Sequence, residues 1–317
     1  MQRRGPGGRV GLLVGRERTF PDALIAEITR RDVGIIAEYA AFSAPDIADP
    51  PPYDVLVDRI SHEVVCYQPY LKHAALAGSR IVNNPFWRIV DDKFFNAALA
   101  RRIGIAVPKT ILLPSKAYGP DITGESLERN MRFVDWDAIE NKLGYPMFMK
   151  PHWGGGWRDV TKIDDRTQLM AAYDKSGTKT MILQQGIVWT QYVRCLVIGQ
   201  RDVRPALWDP RLSHFERYTG AATSMPKLPF ALEEKVANDA LTITQALGYD
   251  MNTVEFAVQD GVPYAIDYMN SAPDFDVSSL GEDHFAWVVA RMAELVIDRA
   301  KEAPSSRYRW DDLLRGR

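Results

Sequence analysis

A lysine followed closely by three glycines is the feature of this sequence that most clearly suggests chemistry. Lys150 ends an apolar stretch, and the consecutive glycines after it are Gly154, Gly155 and Gly156. Consecutive glycines leave amide N–H groups unshielded, so such a loop can close over phosphate groups while the lysine supplies a positive charge. A plain glycine-rich hairpin tip accounts for the same residues equally well.

A second candidate is a pair of carboxylates in a predicted β-hairpin. Glu255 and Asp267 lie in two apolar stretches joined by Asp260-Gly261, a dipeptide typical of tight hairpin turns. A three-residue loop would place the acids opposite each other, whereas a two-residue loop would shift the register and put them on opposite faces. Facing carboxylates repel unless a cation lies between them, and their oxygens, with that of Asn270, suit Mg²⁺. In the alternative, one carboxylate faces inward and the other faces outward, with an ion pair in solvent.

The elements that must position these residues follow from the hydrophobic pattern. Strand and helix signals alternate in the first third of the chain, which predicts a parallel sheet with flanking helices. The stretch 91–104 predicts a helix that carries Lys93, with Asp91 or Asp92 as its cap and Gly104 as its stop. The expected apolar face of this helix comprises Phe94, Phe95, Ala98 and Leu99.

Three further segments carry more specific expectations. Residues 62–78 predict a helix that ends in Gly78, either continuous or divided at Pro69. The polar stretch 114–132 predicts a long surface loop or insertion. The Asp58-Arg59 dipeptide ends a predicted strand, where open α/β sheets bind ligands. That dipeptide could contact a substrate, and a surface ion pair is the alternative.

Composition excludes several classes of function. The chain has 317 residues and a net charge of −2, so no overall field attracts nucleic acid or an anionic membrane. No apolar run is long enough to span a bilayer, and neither the dinucleotide fingerprint nor a P-loop is present. The two cysteines, Cys66 and Cys195, form no metal-binding pattern, so we expect inert core roles for both and a reducing cytoplasmic setting.

The order of these parts resembles the ATP-grasp superfamily, nearest to its glutathione-synthetase-like and ribosomal-protein-modifying carboxylate–amine ligases. An asparagine-proline pair precedes the helix with Lys93, a "GIAVPKT" strand follows, and "MFMKP" precedes the glycines. "ILQQGI" resembles the hinge whose backbone reads adenine, and "YVRCLVIG" the strand that carries a phosphate-binding arginine. "EFAV" and "YAIDYMNSAP" resemble the metal-binding hairpin. The resemblance covers roughly residues 80 to 295.

This resemblance implies a role for each matching residue. Phosphate contacts would come from Lys93, Lys150, Gly154, Gly155 and Gly156. Adenine and ribose contacts would come from Gln185, Gly186, Ile187 and Gln191. The Mg²⁺ ligands would be Glu255, Asp267 and Asn270, and Mn²⁺ could replace Mg²⁺. Arg194, and less directly Arg211 and Arg217, would contact the transferred phosphate or an acyl-phosphate intermediate.

Two departures from the family pattern bear on these roles. Gln191 stands where the family usually has a carboxylate for the ribose hydroxyls. The stretch "DYMN" has one residue more between acid and amide than the usual E-x-N, which predicts either a bulge after Asp267 or a rearranged ligand set.

The implied architecture is α/β and α+β, with a Rossmann-like N-terminal domain before a two-lobed ATP-grasp fold. Its expected domains are residues 1–90, a central lobe 91–185 with the glycine-rich loop, and a carboxyl-terminal lobe 186–317 with the metal-binding hairpin. The implied function is an ATP- and Mg²⁺-dependent ligase that joins a small-molecule or peptide carboxylate to an amine or thiol through an acyl phosphate. A phosphotransferase of the same fold, or a nucleotide-binding module without turnover, is the alternative. The resemblance is compatible with a homodimer.

Overall fold

The computed structural model describes residues 8–49, 51–86, 92–155, 158–213, 215–268 and 270–302. Within these ranges the strands are β1 (Arg9–Leu13), β2 (Ile36–Tyr39), β3 (Val55–Asp58), β4 (Arg80–Val82), β5 (Thr110–Leu113), β6 (Met147–Pro151), β7 (Thr161–Ile163), β8 (Met181–Gln185), β9 (Gln191–Ile198), β10 (Asp202–Leu207), β11 (Met251–Gln259) and β12 (Val262–Asp267). The helices are α1 (Thr19–Arg30), α2 (Tyr67–Leu76), α3 (Lys93–Arg102), α4 (Gly124–Leu127), α5 (Trp136–Leu143), α6 (Arg166–Ser176), α7 (Thr219–Ser224), α8 (Phe230–Leu247), α9 (Val277–Leu280) and α10 (Glu282–Lys301). None of these helices is both long and apolar enough to cross a bilayer.

The chain divides into two compact units. The first comprises residues 1–86, 249–251 and 274–317, and the second comprises residues 87–248 and 252–273. The second unit therefore contains both stretches that the sequence singles out for chemistry. The three-part division at residues 90 and 185 stays a prediction.

The first unit is built on a parallel sheet, which confirms the prediction from strand–helix alternation. Its strand order is β2-β1-β3-β4, and each of its three neighbouring pairs is parallel. Strand β3 is buried along its whole length, the pattern of a strand covered on both faces. Helix α1 buries Leu24 and Ile28 and contacts α10.

The second unit contains two four-stranded sheets. One has the order β5-β8-β6-β7 with antiparallel pairs, and helices α5 and α6 contribute Leu143 and Leu169 to its core. The other has the order β10-β9-β11-β12, and α8 covers it with Val236 and Ile243. Lys150 lies in the first of these sheets, and both acids lie in the second.

Helix α3 follows its predicted bounds but not its predicted face. Its first turn is capped by Asp92, whose carboxylate accepts from the amides of Phe94 and Phe95 at 2.8 and 3.0 Å; Asp91 lies outside the described residues. The expected apolar face is wrong at Phe95, which is 49% exposed, and at Ala98, which is also exposed, whereas Leu99 is half-buried and packs against the apolar core. The buried residues are instead Asn96, Ala97 and Ala100, of which Ala100 joins the core under β9 and β11.

Helix α2 is shorter than predicted. It begins at Tyr67, so Pro69 lies in its first turn, where a missing N–H removes no helical hydrogen bond. Pro69 therefore does not divide this helix. Cys66 stands at the helix N-cap and is exposed, which corrects the expected core role, whereas Cys195 is buried on β9. The polar stretch 114–132 contains only the four-residue helix α4.

Candidate active site

The hairpin of β11 and β12 brings the two predicted carboxylates together. Gln259 pairs with Val262, so the loop has two residues, Asp260 and Gly261. Glu255 nevertheless pairs with Asp267, because the register shifts between Glu255 and Phe256 and leaves one extra residue on β12. The expectation that a two-residue loop separates the acids is therefore wrong.

The extra residue is Ile266, and it forms a β-bulge. Phe256 pairs with Ala265 while Glu255 pairs with Asp267, so Ile266 has no counterpart on β11. A bulge adds one residue to a strand and re-aims the side chains beyond it, which is how the acids come to face each other. The bulge thus precedes Asp267. The bulge after Asp267, or the rearranged ligand set, that the "DYMN" spacing suggests stays a prediction, because residue 269 lies outside the described residues. The carbonyl of Ile266 accepts from Lys150 Nζ at 3.4 Å.

Lys93, Lys150 and Asp267 line one narrow pocket in the second unit. Its other lining residues are Asn96, Gln184, Ile266 and Tyr268. Lys150 reaches this pocket from the end of β6 and is 8% exposed, and Lys93 reaches it from the first turn of α3. The two lysines and the hairpin acid come from distant parts of the chain, as the sequence predicts.

Burial moves the pKa of Lys150 and of Glu255 in opposite directions. It lowers the pKa of Lys150 to about 8, with a further lowering from Lys93, while Asp267 and Glu255 act in the opposite direction. Burial also raises the pKa of Glu255 to about 7; Asp267 adds to that rise, and Arg194 opposes it. Both shifts disfavour charge on groups that burial removes from water, which is characteristic of functional sites.

Strand β9 supplies two further contacts to Glu255. Arg194 places Nε 3.6 Å from Glu255 Oε1, and the Tyr192 hydroxyl donates to Glu255 Oε2 at 3.1 Å. Tyr192 and Arg194 are two residues apart on one strand, so they share a face. Arg194 was predicted at this site and Tyr192 was not, although the two-residue period from Arg194 would have indicated it.

The glycine-rich loop lies against the beginning of α3. The backbone N–H of Lys93 donates to the carbonyl of His152 at 2.9 Å, and Lys93 Nζ donates to the carbonyl of Gly154. Gly154 has φ +97°, a conformation that favours glycine, and a Cβ at Gly155 would meet no atom within 4 Å. The loop is therefore joined to one of the two predicted phosphate lysines. Gly156 lies outside the described residues.

The predicted adenine hinge connects β8 to β9. The amide of Gln185 donates to the carbonyl of Lys109 at 2.9 Å, and that of Gly186 donates to the carbonyl of Pro146 at 2.9 Å. A Cβ at Gly186 would lie 2.5 Å from the Pro146 oxygen, so only glycine permits this close approach. The backbone amides of Gln185 and Gly186 are thus bonded within the protein, and the next backbone amide along the hinge is that of Ile187.

Gln191 uses both protons of its side-chain amide within the protein. Its Nε2 donates to the carbonyls of Pro226 and Lys227 at 2.8 and 3.1 Å, and the residue is 7% exposed. A ribose hydroxyl could therefore meet only the amide oxygen of Gln191, as a donor. The ribose role of Gln191 stays a prediction.

Asn252 holds the segment that contains the unusual "DYMN" spacing. Its Oδ1 accepts from the amide of Asn270 at 3.0 Å, and its Nδ2 donates to the carbonyl of Tyr268 at 3.1 Å. Asn252 is fully buried, and this amide fixes the backbone on both sides of residue 269. The side chain of Asn270 accepts from the amide of Ala272 at 3.3 Å. A buried asparagine within an apolar strand was the available signal for Asn252, and we missed it.

Arg211 and Arg217 lie in an aromatic environment. Arg211 is paired with Asp209 at 2.7 Å and lies 4.1 Å over the ring of Trp189. Arg217 lies 5.3 Å from the ring of Trp208, and Arg194 lies at the same distance from that ring. Trp208 thus connects Arg217 to the arginine beside Glu255. The phosphate roles of Arg211 and Arg217 stay predictions.

The oxygen donors at the hairpin fit a hard divalent cation. Two facing carboxylates repel unless a cation separates them, and Mg²⁺ typically takes one or two carboxylates together with phosphate oxygens. Among the described residues, no three His, Cys, Asp or Glu side chains form a metal-binding group. Glu255, Asp267 and the amide of Asn270 offer oxygen atoms, the kind of ligand that a hard divalent cation shared with a phosphate group takes.

Comparison with solved structures identifies the fold. The chain is similar to D-alanine–D-alanine ligase from Bacillus anthracis complexed with ATP, at TM-score 0.62 and 16% identity over 93% of this chain and 97% of that one. It is similar to the RimK domain protein ATP-grasp from Sphaerobacter thermophilus, at TM-score 0.61 and 21% identity over 92% and 100%. It is also similar to the ATP-grasp ligase PsnB complexed with a precursor variant, Mg and ADP, at TM-score 0.60 and 11% identity over 93% and 99%. The fold is that of the ATP-grasp ligases, which confirms the resemblance seen in the sequence.

Curated relatives agree with this fold over part of the chain. D-alanine–D-alanine ligase from Dechloromonas aromatica is 26% identical over 197 residues, 60% of each chain. D-alanine–D-alanine ligase B from Chromobacterium violaceum is 32% identical over 120 residues, 37% of this chain and 38% of that one. The matches thus span at most about three fifths of these relatives. No family model matches the chain.

Proposed function

We propose that this protein is an ATP-dependent carboxylate–amine ligase. One observation carries the proposal: the buried Lys150 ammonium and the Asp267 carboxylate line the same pocket. Glu255 pairs with Asp267 across the hairpin, and Arg194 lies beside Glu255. With Lys93, these side chains comprise three cations and two anions around a small space. A triphosphate with its divalent cation supplies the opposite pattern of charge, because phosphate oxygens meet the cations and the metal meets the acids.

In this proposal each side chain has a defined task. Lys93 and Lys150 hold phosphate oxygens of ATP, and Glu255, Asp267 and Asn270 hold Mg²⁺. The metal, when bound, neutralises charge that develops on the transferring phosphoryl group. The carboxylate of the first substrate attacks the γ-phosphorus, giving an acyl phosphate and ADP. The amine of the second substrate then displaces inorganic phosphate and forms the amide. Positioning and electrostatics supply most of the catalysis in such transfers.

The remaining predicted residues fit the periphery of the same site. Arg194 lies close enough to the acid pair to contact the transferred phosphoryl group, with Arg211 and Arg217 further along the aromatic cluster. Closure of the glycine-rich loop would exclude water, which matters because an acyl phosphate hydrolyses readily. Adenine would lie at the hinge formed by Gln185, Gly186 and Ile187, with its ribose at Gln191.

The substrate class follows from the comparisons only in outline. Proteins of similar fold include D-alanine–D-alanine ligases and a ligase in complex with a precursor peptide. We therefore propose a small-molecule or peptide carboxylate as the phosphoryl acceptor, and an amine or thiol as the second substrate. A homodimer remains a prediction.

Calorimetric titration with Mg·ATP tests the nucleotide site directly. The wild-type chain should bind, and Lys150→Ala should lose affinity by about a hundredfold, since it removes a charge-assisted contact to phosphate. Lys162→Ala is the matched control, because Lys162 is an exposed lysine on β7 in the same unit and pairs with Asp164. Absence of Mg·ATP binding to the wild-type chain would contradict the proposal.

Product analysis separates the ligase from its alternatives. With Mg·ATP, a panel of carboxylates and a panel of amines, a ligase releases ADP and phosphate and forms an amide detectable by mass spectrometry. ADP release with a stable phosphorylated product and no amide would indicate a phosphotransferase. Binding of ATP without turnover in any mixture would indicate a nucleotide-binding module, in line with the departures at Gln191 and in "DYMN".

A further inference from the structure

Asn96 is a buried amide whose oxygen has no hydrogen-bond partner among the described residues. It lies on α3, is 2% exposed, and its Oδ1 is buried without a partner. A buried polar atom left without a partner destabilises a folded protein, and most such atoms are satisfied. An apolar residue at this position would remove that penalty, so the amide needs another explanation.

The position of Asn96 suggests what would satisfy it. It follows Lys93 by three residues, so the two side chains lie on the same face of α3. Both line the pocket that also contains Lys150 and Asp267. One turn further on, Ala100 joins the apolar core. The face of α3 thus changes from polar to apolar at Asn96, and the polar end faces the pocket.

The charge of the pocket determines which end of the amide would be used. Between Lys93 and Lys150 a ligand would present anionic oxygen atoms, which accept hydrogen bonds. Rotation of the Asn96 amide about χ2 exchanges its oxygen for its NH₂ group, which donates. Gln184, the other amide in the pocket, already donates to Thr110 Oγ1 at 3.2 Å. Rotation of Gln184 would break that hydrogen bond, whereas the Asn96 oxygen has no partner among the described residues to lose, so Asn96 is the amide that can turn its NH₂ group towards the ligand at the smaller cost.

We propose that the side-chain amide of Asn96 donates a hydrogen bond to a phosphate oxygen of the nucleotide held between Lys93 and Lys150. The inference rests on the proposed nucleotide site and adds to it a neutral donor that no motif identified. Asn96 then acts in binding and recognises the polyphosphate, not the nucleoside.

Two substitutions at Asn96 test this contact. Asn96→Leu removes the amide at similar volume and should weaken Mg·ATP binding by about tenfold to a hundredfold, as expected for a hydrogen bond to a charged group. Asn96→Asp retains the shape, loses the donor and adds negative charge beside the phosphates, so it should weaken binding further. Adenosine lacks phosphates, so its affinity, measured by competition with Mg·ATP, should be the same for wild type, Asn96→Leu and Asn96→Asp. The ligand-free Asn96→Leu protein should melt no lower than wild type, because an unsatisfied polar group has been removed.

The outcomes distinguish this inference from the function on which it rests. Asn141→Leu, on the exposed face of α5, is the matched control and should change neither the affinity for Mg·ATP nor that for adenosine. Wild-type Mg·ATP affinity in Asn96→Leu would overturn the phosphate contact while leaving the nucleotide site intact. Retained or tighter binding in Asn96→Asp would also overturn it, and would indicate a metal-bound water as the partner. Equal losses for adenosine and Mg·ATP would indicate a distorted pocket and contradict the contact, and no Mg·ATP binding to wild type would overturn both proposals.

Discussion

Two buried polar clusters, one in each unit, differ in how well the protein satisfies them. In the first unit, Arg59 donates to both oxygens of Glu17 at 2.9 and 2.6 Å. Its guanidinium also lies 5.1 Å from the rings of both Phe20 and Phe275. We call these four residues the Arg59 cluster. Asp58, beside it, accepts from the amides of Ile60 and Ser61 and from the Ser61 hydroxyl.

In the second unit the contacts of the charged groups are longer. We call Lys150, Arg194, Glu255 and Asp267 the Lys150 cluster. Lys150 Nζ is 3.4 Å from its carbonyl partner, and Arg194 Nε is 3.6 Å from Glu255. Burial moves the pKa of Glu255 up and that of Lys150 down. The comparison of the two clusters teaches that burial of charged groups does not by itself indicate a functional site. Charge that the protein leaves poorly compensated indicates one.

The sharpest test of this difference is Asp267→Asn in the Lys150 cluster. Turnover with Mg·ATP should fall by about a thousandfold or more, since a metal ligand and a charge at the transferring phosphoryl group are lost. The melting temperature should change little, because the variant loses both the repulsion from Glu255 and the attraction to Lys150. Asp260→Asn, at the tip of the same hairpin with φ +53°, is the control, because asparagine tolerates this conformation. Turnover that survives in Asp267→Asn would remove Asp267 from the metal site.

The Arg59 cluster should respond in the opposite way. Arg59→Leu leaves Glu17 partly buried without its partner and should lower the free energy of unfolding by about 3–5 kcal/mol, measured by urea denaturation. Mg·ATP affinity of the folded variant should match that of wild type. Arg30→Leu, which removes an exposed arginine paired with Glu27, should change stability far less. Unchanged stability combined with loss of turnover would instead support the substrate contact expected for Asp58-Arg59.

How far the sequence specified the site depended on the kind of signal. Lys150 and the hairpin acids were predictable because charged residues in apolar or glycine-rich surroundings need a physical reason. Lys93 followed only from the resemblance to the ATP-grasp pattern. The register of the hairpin was not, because it depends on a bulge at Ile266, a residue type common in regular strands. A single slipped residue moves every later side chain to the other face.

Helix α3 shows a second limit of prediction. Its sequence has two neighbouring phenylalanines that suggest the buried face, yet the protein buries Asn96 with the small alanines and leaves Phe95 half exposed. The fold was more predictable than this face, since strand–helix alternation, the cap at Asp92 and the stop at Gly104, which has φ +87°, are local signals. Which face of a helix is buried depends on what it meets in the tertiary structure, and here it meets a polar pocket.

The pKa shifts of the Lys150 cluster predict how Mg·ATP affinity depends on pH. Burial raises the pKa of Glu255 to about 7, and metal binding needs the carboxylate, so affinity should fall as the pH drops through 7. Burial lowers the pKa of Lys150 to about 8, and phosphate binding needs the ammonium, so affinity should also fall as the pH rises through 8. Each decrease should approach tenfold per pH unit, with the maximum between pH 7 and 8.

Calorimetry at pH 6, 7, 8 and 9 measures this profile. The terminal phosphate of ATP also titrates on the acid side, so Glu255→Gln serves as the control for that side. Its binding should be weaker throughout and should lose the part of the acid dependence that belongs to Glu255. An identical acid dependence in wild type and Glu255→Gln would show that Glu255 does not titrate on binding. The Arg59 cluster should contribute nothing to the profile, so Arg59→Leu should reproduce the wild-type curve.

The smallest expected effect concerns the glycine-rich loop. In Gly155→Val, a Cβ meets no atom within 4 Å, so the folded structure should accept the side chain. A β-branched residue still restricts the backbone and hinders close approach to phosphates, so turnover should fall by roughly threefold to tenfold while stability stays within about 1 kcal/mol of wild type. Gly119→Val is the matched control, because that exposed glycine has the same free space in the stretch 114–132. Steady-state kinetics of both variants measures the difference. Equal rates in Gly155→Val and wild type would mean that the loop is a plain hairpin tip, and that the Lys150 cluster binds its ligand without a cover from these glycines.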